Sequence, residues 1–360
     1  MTSALPARGK IRKRASHRAR ILLLMGGSAL VAMVFAMSIG AVSLSASSIL
    51  ALLGEKLSGA SAGVSATERL VFWEIRLPRA LLAFLVGGGL GMAGAAMQGW
   101  FRNPLADPGL LGISAGGALG AIAAIVLAQG TLSSLLGLWL LPICAFAGGL
   151  AAVLLVMRLA TSRSGKTDPS TMLLAGIAVN AILGAGTGLL TYFADDQQLR
   201  SLTFWTMGSL SGAAWHGVWV AAAAIALATI LLRGSGQALN LLSLGAEEAV
   251  CLGCNIDGLR NRIVAATALA AGATVALAGM IGFIGLVAPH LVRMAFGADH
   301  RLVLPGGFLL GGSLLVIADL IARTVVTPAE APLGVITALL GAPFFLYLLT
   351  RQRRAQEALC

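Results

Sequence analysis

The sequence predicts an all-α integral membrane protein with about ten transmembrane helices. Three observations carry that prediction. Of the 360 residues 58% are hydrophobic and only 11% charged, with a mean hydropathy of +0.91, whereas globular chains carry about 25% charged residues. Glycine is abundant at 46 residues, as expected where helices pack against helices in lipid. The 25 Lys and Arg residues gather in short connections and at the two ends of the chain. A nucleic-acid-binding protein would cluster them on a soluble domain, so the net charge of +11 points to membrane topology instead.

The elements follow in order. Seven Lys/Arg lie between Arg8 and Arg20, a basic segment over 1–20 expected in the cytoplasm. The apolar run Ile21–Val42 comes next. A cleaved signal peptide has an apolar region of about 7–15 residues. This run is long enough to cross a bilayer, so it reads as a retained first span, with cleavage near Ser43–Ala46 as the alternative. The remaining spans are expected over 79–101, 109–129, 134–157, 171–193, 215–232, 263–282, 283–297, 304–322 and 333–350. The second is entered through Arg76-Leu77-Pro78-Arg79 and left at the polar break Arg102-Asn103-Pro104-Leu105-Ala106-Asp107-Pro108. There the residue before each proline resists the α conformation. Its glycines let neighbouring helices approach, and Gln98 is a candidate internal hydrogen-bonding group. The eighth is the shortest and carries Pro289, His290 and Arg293. The transmembrane domain thus covers 21–350, with one long polar connection over 234–262 and a tail over 351–360.

An even number of spans puts both termini on one side. On that side fall nineteen Lys/Arg, against six on the other. The positive-inside rule therefore places both ends in the cytoplasm. Spans two to five and seven to ten then form two groups of four that enter the membrane from opposite sides, the arrangement of an inverted repeat.

Candidate chemistry is sparse. Cys251 and Cys254 form a CxxC with no second cysteine pair nearby, too few ligands for a zinc site. Ser164-Gly165-Lys166-Thr167 mimics the end of a phosphate-binding loop, but the full motif needs glycine where Ala160 stands and a preceding strand. Asp319 is the acid placed inside a span; Arg323, four residues on, is its expected partner. His216 and His290 read as helix-end packing residues. No HExxH and no acidic cluster at a span end suggests an enzyme, so no catalytic residue, metal site or chain-bound cofactor is expected.

Four blocks, in order over residues 70–350, resemble the permease subunits of bacterial ABC importers for iron complexes, haem and cobalamin. They are Arg76–Gly112; Gly282-Phe283-Ile284-Gly285-Leu286-Val287-Ala288-Pro289-His290-Leu291-Val292-Arg293 with Asp299-His300-Arg301 and Leu304-Pro305-Gly306; Ala318-Asp319-Leu320-Ile321-Ala322-Arg323; and Pro328–Thr337 closing with Gly341-Ala342-Pro343-Phe344. Ala331 departs from the leucine expected in the Glu-Leu-Pro form.

The resemblance implies a homodimeric permease of the bacterial inner membrane, with ATP bound by two copies of a separate cytoplasmic ATPase and cargo delivered by a periplasmic binding protein. It implies docking of that protein on Arg76, Arg79 and Arg323. It implies coupling to the ATPase through the 234–262 connection, at Leu244, Gly245, Glu247, Glu248, Leu252 and Gly253, whose glycines suggest two short helices with a sharp turn. The pathway would run between the two copies, lined largely by the fifth and tenth spans. Ser164, Thr167 and Asn180 are gate or pathway candidates, as are Phe204, Trp205 and Met207, which also suit the interfacial aromatic belt. The Asp107-Pro108-Gly109-Leu110-Leu111-Gly112 form favours haem as cargo, with ferric siderophore or cobalamin as alternatives. An ion-coupled secondary transporter is the alternative of another class.

Overall fold

Helix-capping signals and apolar length set the architecture. The structure, a computed structural model, describes residues 5–40, 44–58, 63–127, 136–162, 167–326 and 328–357. We label its helices α1 Leu5–Ser38, α2 Ala46–Ser58, α3 Ala66–Trp100, α4 Ile113–Leu127, α5 Leu140–Ala160, α6 Pro169–Tyr192 and α7 Asp196–Met207. The second half follows as α8 Trp215–Leu231, α9 Ser235–Leu242, α10 Ala246–Cys251, α11 Ile256–Ala278, α12 Ile284–Phe296, α13 His300–Thr324 and α14 Leu333–Glu357. Among the described residues no strand forms, only an isolated bridge between Thr161 and Thr167.

Each of the ten segments expected to span contains a helix, but the boundaries differ. α3 begins at Ala66, thirteen residues before the expected start. Ser65 caps it, accepting from the Glu68 amide while the Glu68 carboxylate accepts from the Ser65 amide, a capping box. One wide turn over Val71–Arg76 admits Pro78 without ending the helix. α1 continues through the basic segment from Leu5, and α14 continues to Glu357.

Among the described residues six helices are long and apolar enough to cross a membrane, or seven if α8 and α9, bent by 55° at their junction, count as one span. α12 has 13 residues, about 20 Å at 1.5 Å per residue, against a hydrocarbon core of about 30 Å. Length and composition alone therefore fall short of the ten expected spans.

α3 is the centre of the bundle, with 83% of its apolar window buried. It meets α13 backbone to backbone. A Cβ at Gly87 would stand 2.3 Å from the Gly311 carbonyl oxygen, and one at Gly91 only 2.1 Å from that of Gly307. α4 and α5 repeat the device at Gly116, Gly120 and Gly148. Four-residue spacing puts these glycines on one helix face, so two backbones touch along a line. At the far end of α3, Gln98 accepts from Arg293 and donates to the carbonyls of Gly285 and Leu286 on α12.

The helix neighbours also fall into two matched sets. α4 packs on α5 and α6, and α5 on α6; α12 packs on α13 and α14, and α13 on α14. α3 crosses to α12 and α13 as α11 crosses to α4 and α5.

Gly91→Val is expected to abolish this approach and lose the monodisperse protein, or lower its Tm by the equivalent of at least 1–3 kcal/mol of overpacking. Gly26→Ala, where an added Cβ meets nothing within 4 Å, is expected to be neutral. Thermal unfolding in detergent of both variants checks the pair.

Candidate functional site

Two polar assemblies sit at opposite ends of the bundle. The first joins α3, α13 and the turn before α14. Arg79 directs Nε and Nη2 to Asp319 at 2.8–3.1 Å, and Nη1 and Nη2 to Glu330 at 2.7 and 3.0 Å. Arg323 lies 3.5 Å from the same Asp319, the i,i+4 partner expected from sequence. Asp319 is thus shared by two guanidinium groups. Arg79 and Arg323 side chains are each 12% exposed and that of Glu330 40%, so the assembly opens to solvent only at Glu330. The hydrogen bond from Arg79 outweighs burial and holds the Glu330 carboxyl below the usual carboxylate range.

The remaining donors of this assembly terminate α1. Arg76 donates to the carbonyls of Met37 and Ser38, and Arg323 to those of Ala36 and Ile39. The last carbonyls of a helix have no partner within it and carry the negative end of its dipole, so two arginines from α3 and α13 complete the end of α1. Gly40 leaves the space, since a Cβ there would stand 2.6 Å from Arg76 Nη2. Arg76 itself is only 5% exposed. All three expected docking residues therefore come together, engaged internally.

The second assembly is the 234–262 connection. It forms two short helices, α9 and α10, separated by Ser243–Gly245, with Gly245 at φ 141° and Gly253 at φ 83° after α10. Those backbone angles require glycine. Leu244, Val250 and Leu252 are exposed at 66, 57 and 60%, beside exposed Glu247 and Glu248. An apolar tip flanked by acids is suited to another protein's surface. The tip is anchored by a residue that sequence reasoning missed. Asn240 on α9 donates to Asp299 at 2.7 Å and accepts from the His300 amide at 2.9 Å. Asp299 also takes Arg18 of α1 at 3.1 Å and the Arg301 amide at 3.0 Å. Burial alone would raise the Asp299 carboxyl; these bonds and the nearby arginine charges outweigh it and hold it below the usual range.

The other candidates scatter. Thr167 accepts from Arg260 Nη1 at 2.7 Å and pairs with Thr161 at 2.9 Å, tying the turn before α6 to α11. Ser164 lies outside the described residues. Asn180 donates to the Gly109 carbonyl at 3.1 Å, fixing α6 to the loop before α4. On α7, Trp205 packs against Ala121, Ala145 and Ala276, Phe204 faces outward, and the Met207 carbonyl abuts Gly334 of α14. α6 is almost bare: only 11% of its apolar window is buried. It presents Leu174, Ile177, Ile182 and Leu189, together with the small residues Ala178, Ala181, Gly184, Ala185 and Gly188. Among the described residues no three His, Cys, Asp or Glu side chains converge as a metal site.

A helical bundle with this hydropathy, an arginine–carboxylate cluster at one end and an exposed two-helix tip at the other fits a multi-pass membrane protein. The chain belongs to the FecCD transport family of ABC-importer permeases, whose sequence model matches residues 28–351. It is 50% identical over 287 residues to the hemin transport system permease protein HmuU of Yersinia pestis, covering 80% of this chain and 85% of that protein. The vitamin B12 import system permease protein BtuC of Escherichia coli O9:H4 is 45% identical over 79% of this chain and 85% of its own length. The cobalamin import system permease protein BtuC of Halobacterium salinarum is 43% identical over 80% and 75%. The solved structure of a metal-chelate type ABC transporter in an inward-facing conformation superposes with a TM-score of 0.79 at 32% identity, covering 92% of this chain and 99% of that one.

Because the folded pKa of Glu330 is depressed, its contribution to stability is full above the ordinary glutamate pKa of about 4.3 and is lost as pH falls through the lower folded value. Thermal unfolding of the parent and of Glu330→Gln is therefore expected to differ near neutral pH and to converge in acid. Parallel curves at every pH would remove the Arg79–Glu330 link as a contributor.

Proposed function

We propose that this chain is the permease of an ATP-driven haem importer. Two copies would form the pathway, two cytoplasmic ATPase subunits would bind and hydrolyse ATP, and a periplasmic protein would deliver haem. The observation that carries the cargo is the 50% identity to a hemin permease, against 43–45% to cobalamin permeases over a similar share of the chain. Membership of the family sets aside the ion-coupled secondary transporter.

In this reading both termini and the α9–α10 tip face the cytoplasm, supported by the nineteen-to-six division of Lys and Arg. The ten helices cross the membrane as an inverted repeat of α3–α6 and α11–α14. Their matched contact sets support that repeat, and the short α12 is helped across by the protein packed on either side. The bare faces of α6 and α14 meet the second copy and line the pathway.

Transport proceeds by alternating access. ATP on the partner subunits favours one arrangement of the two permease copies over the other, and only such differential stabilisation shifts their equilibrium. Leu244, Gly245, Glu247, Glu248, Leu252 and Gly253 transmit it, because the exposed apolar tip is braced by Asn240 and Asp299 to α13 and α1. Arg76, Arg79 and Arg323 form the docking face for acidic groups of the binding protein, which would compete with Glu330 for Arg79.

Reconstituting the permease with its ATPase tests the reading. Haem-loaded binding protein is expected to stimulate ATP hydrolysis several-fold and cobalamin-loaded protein not to; the reverse order makes cobalamin the cargo. Leu244→Glu with Leu252→Glu is expected to abolish stimulation while the permease keeps its Tm. Wild-type turnover by that variant would refute the coupling role. In the same complex Arg79→Gln is expected to slow binding-protein association, most at low salt. Unchanged association would remove docking at Arg79.

A further inference from the structure

We infer that the cavity at the α8–α9 break is a binding site for the phosphate headgroup of an anionic phospholipid. The cavity has a volume of about 650 Å³. One half is apolar: Met92 of α3, Ile230 and Leu232 from the end of α8, and Leu304 and Pro305 of α13. The other half is basic and polar, with Arg233, Gln237 and Arg301. The apolar residues belong to helices long enough to span, and the basic residues to the connections that end them. The cavity therefore straddles the boundary between hydrocarbon and headgroup, at the same end of the bundle as the coupling tip.

The chemistry selects an anion. Several other arginines described above are paired with acids within the chain: Arg79 and Arg323 with Asp319, Arg79 with Glu330, Arg18 with Asp299, Arg260 with Asp257. Arg233 and Arg301 line a common cavity, and among the described residues neither guanidinium forms an ion pair or side-chain hydrogen bond. The nearest acid on the same helix start, Asp299, already takes Arg18, Asn240 and the Arg301 amide. α9 begins between the lining residues Gly234 and Gly236, so the positive end of its dipole adds to the field. Ser235 between them is 1% exposed with its hydroxyl unpartnered.

The apolar half selects a lipid over a free anion. A soluble phosphate ester would leave Met92, Ile230 and Leu304 facing water or bilayer; a phospholipid fills that half with acyl chain while its phosphate meets the arginines. Basic pockets between membrane helices at the cytoplasmic side are suited to such headgroups, each Lys or Arg adding to the attraction. The break that creates the pocket has a local cause. α8 ends at Leu231, and Gly234 takes the left-handed conformation at φ 81°, turning the chain 55° into α9. The site therefore sits on the hinge between the bundle and the coupling tip, and a bound headgroup would brace α9 against the start of α13.

Native mass spectrometry of the full chain, released from mixed phosphatidylglycerol and phosphatidylcholine micelles, tests this. The parent is expected to retain one phosphatidylglycerol per copy in preference to phosphatidylcholine. Arg233→Gln with Arg301→Gln is expected to reduce that preference by about 30-fold. Arg233→Lys with Arg301→Lys is expected to keep most of it. If the glutamine pair fails to fold, the parent in rising salt supplies the same reading, since a charge-driven preference must fall with ionic strength. An undiminished preference in the glutamine pair overturns the site. Displacement of the lipid by inorganic phosphate alone also overturns it, in favour of a free-anion site. So does loss of bound lipid when the ATPase subunits assemble, which would assign the two arginines to a protein contact.

Discussion

The contact of glycine on glycine between α3 and α13 is the constraint on which the remaining structure depends. In lipid, apolar burial gives little drive for helices to associate, because acyl chains are as apolar as leucine. Association then rests on close van der Waals fit, and a Cβ at Gly87 or Gly91 would lie inside the facing backbone. That fit sets the distance between the two helices and, with it, the reach of every side chain at their ends. Arg79 can bridge Asp319 and Glu330 only because its helix lies against the one that carries Asp319. At the other end of α3, Gln98 meets Arg293 and the α12 carbonyls for the same reason.

Charge is placed with equal economy. The guanidiniums at the α3–α13 junction do two jobs: they neutralise buried carboxylates, and they satisfy the final carbonyls of α1. A carboxylate buried without a partner, or a helix end left open in an apolar medium, costs several kcal/mol. Each arginine that removes one such cost sits close enough to remove another. α1 is thereby held at two points, by Arg76 and Arg323 at its last turn and by Arg18 to Asp299 partway along it. A helix whose exposed leucines say little about where it packs acquires its place from charge.

Much of the fold is legible in the sequence because each apolar segment is bounded by a residue with a local physical effect. Asp168-Pro169 starts α6 two residues before its expected span, while Asp195 with Gln198 and Asn255 cap α7 and α11, the latter seven residues ahead of the apolar pattern. The early start of α3 was also signalled, by the Ser65–Glu68 capping box, but polar residues over 66–76 hide it from a hydropathy reading. α2 carries Glu55 and Lys56 within thirteen residues and escapes for the same reason. The shortness of α12 reflects neighbours rather than local sequence, since flanking protein relieves a helix of the need to match the bilayer. The Asp319–Arg323 pair is local, four residues apart, and can be read directly. Arg79 to Asp319 spans 240 residues and Asn240 to Asp299 spans 59, so neither pairing has a local signal. The same separation explains why Arg76, Arg79 and Arg323 can be singled out from sequence while their internal partners cannot.

The line from tip to bundle follows from these placements. α10 packs chiefly on α9 and α11, and Val250 and the following Leu252 are exposed. α9 is held by Asn240 to the cap of α13, and that cap is held by Arg18 to α1. A force applied at Leu244 or Leu252 is therefore delivered to the first turn of α13, one end of the helix whose backbone is locked to α3. The opposite end of α13 carries Asp319 and Arg323. A single rigid element thus joins the tip that would meet an ATPase to the arginine cluster that would meet a binding protein. Coupling between the two ends needs no chain of small adjustments through the core, because a tilt of α13 with α3 moves both together.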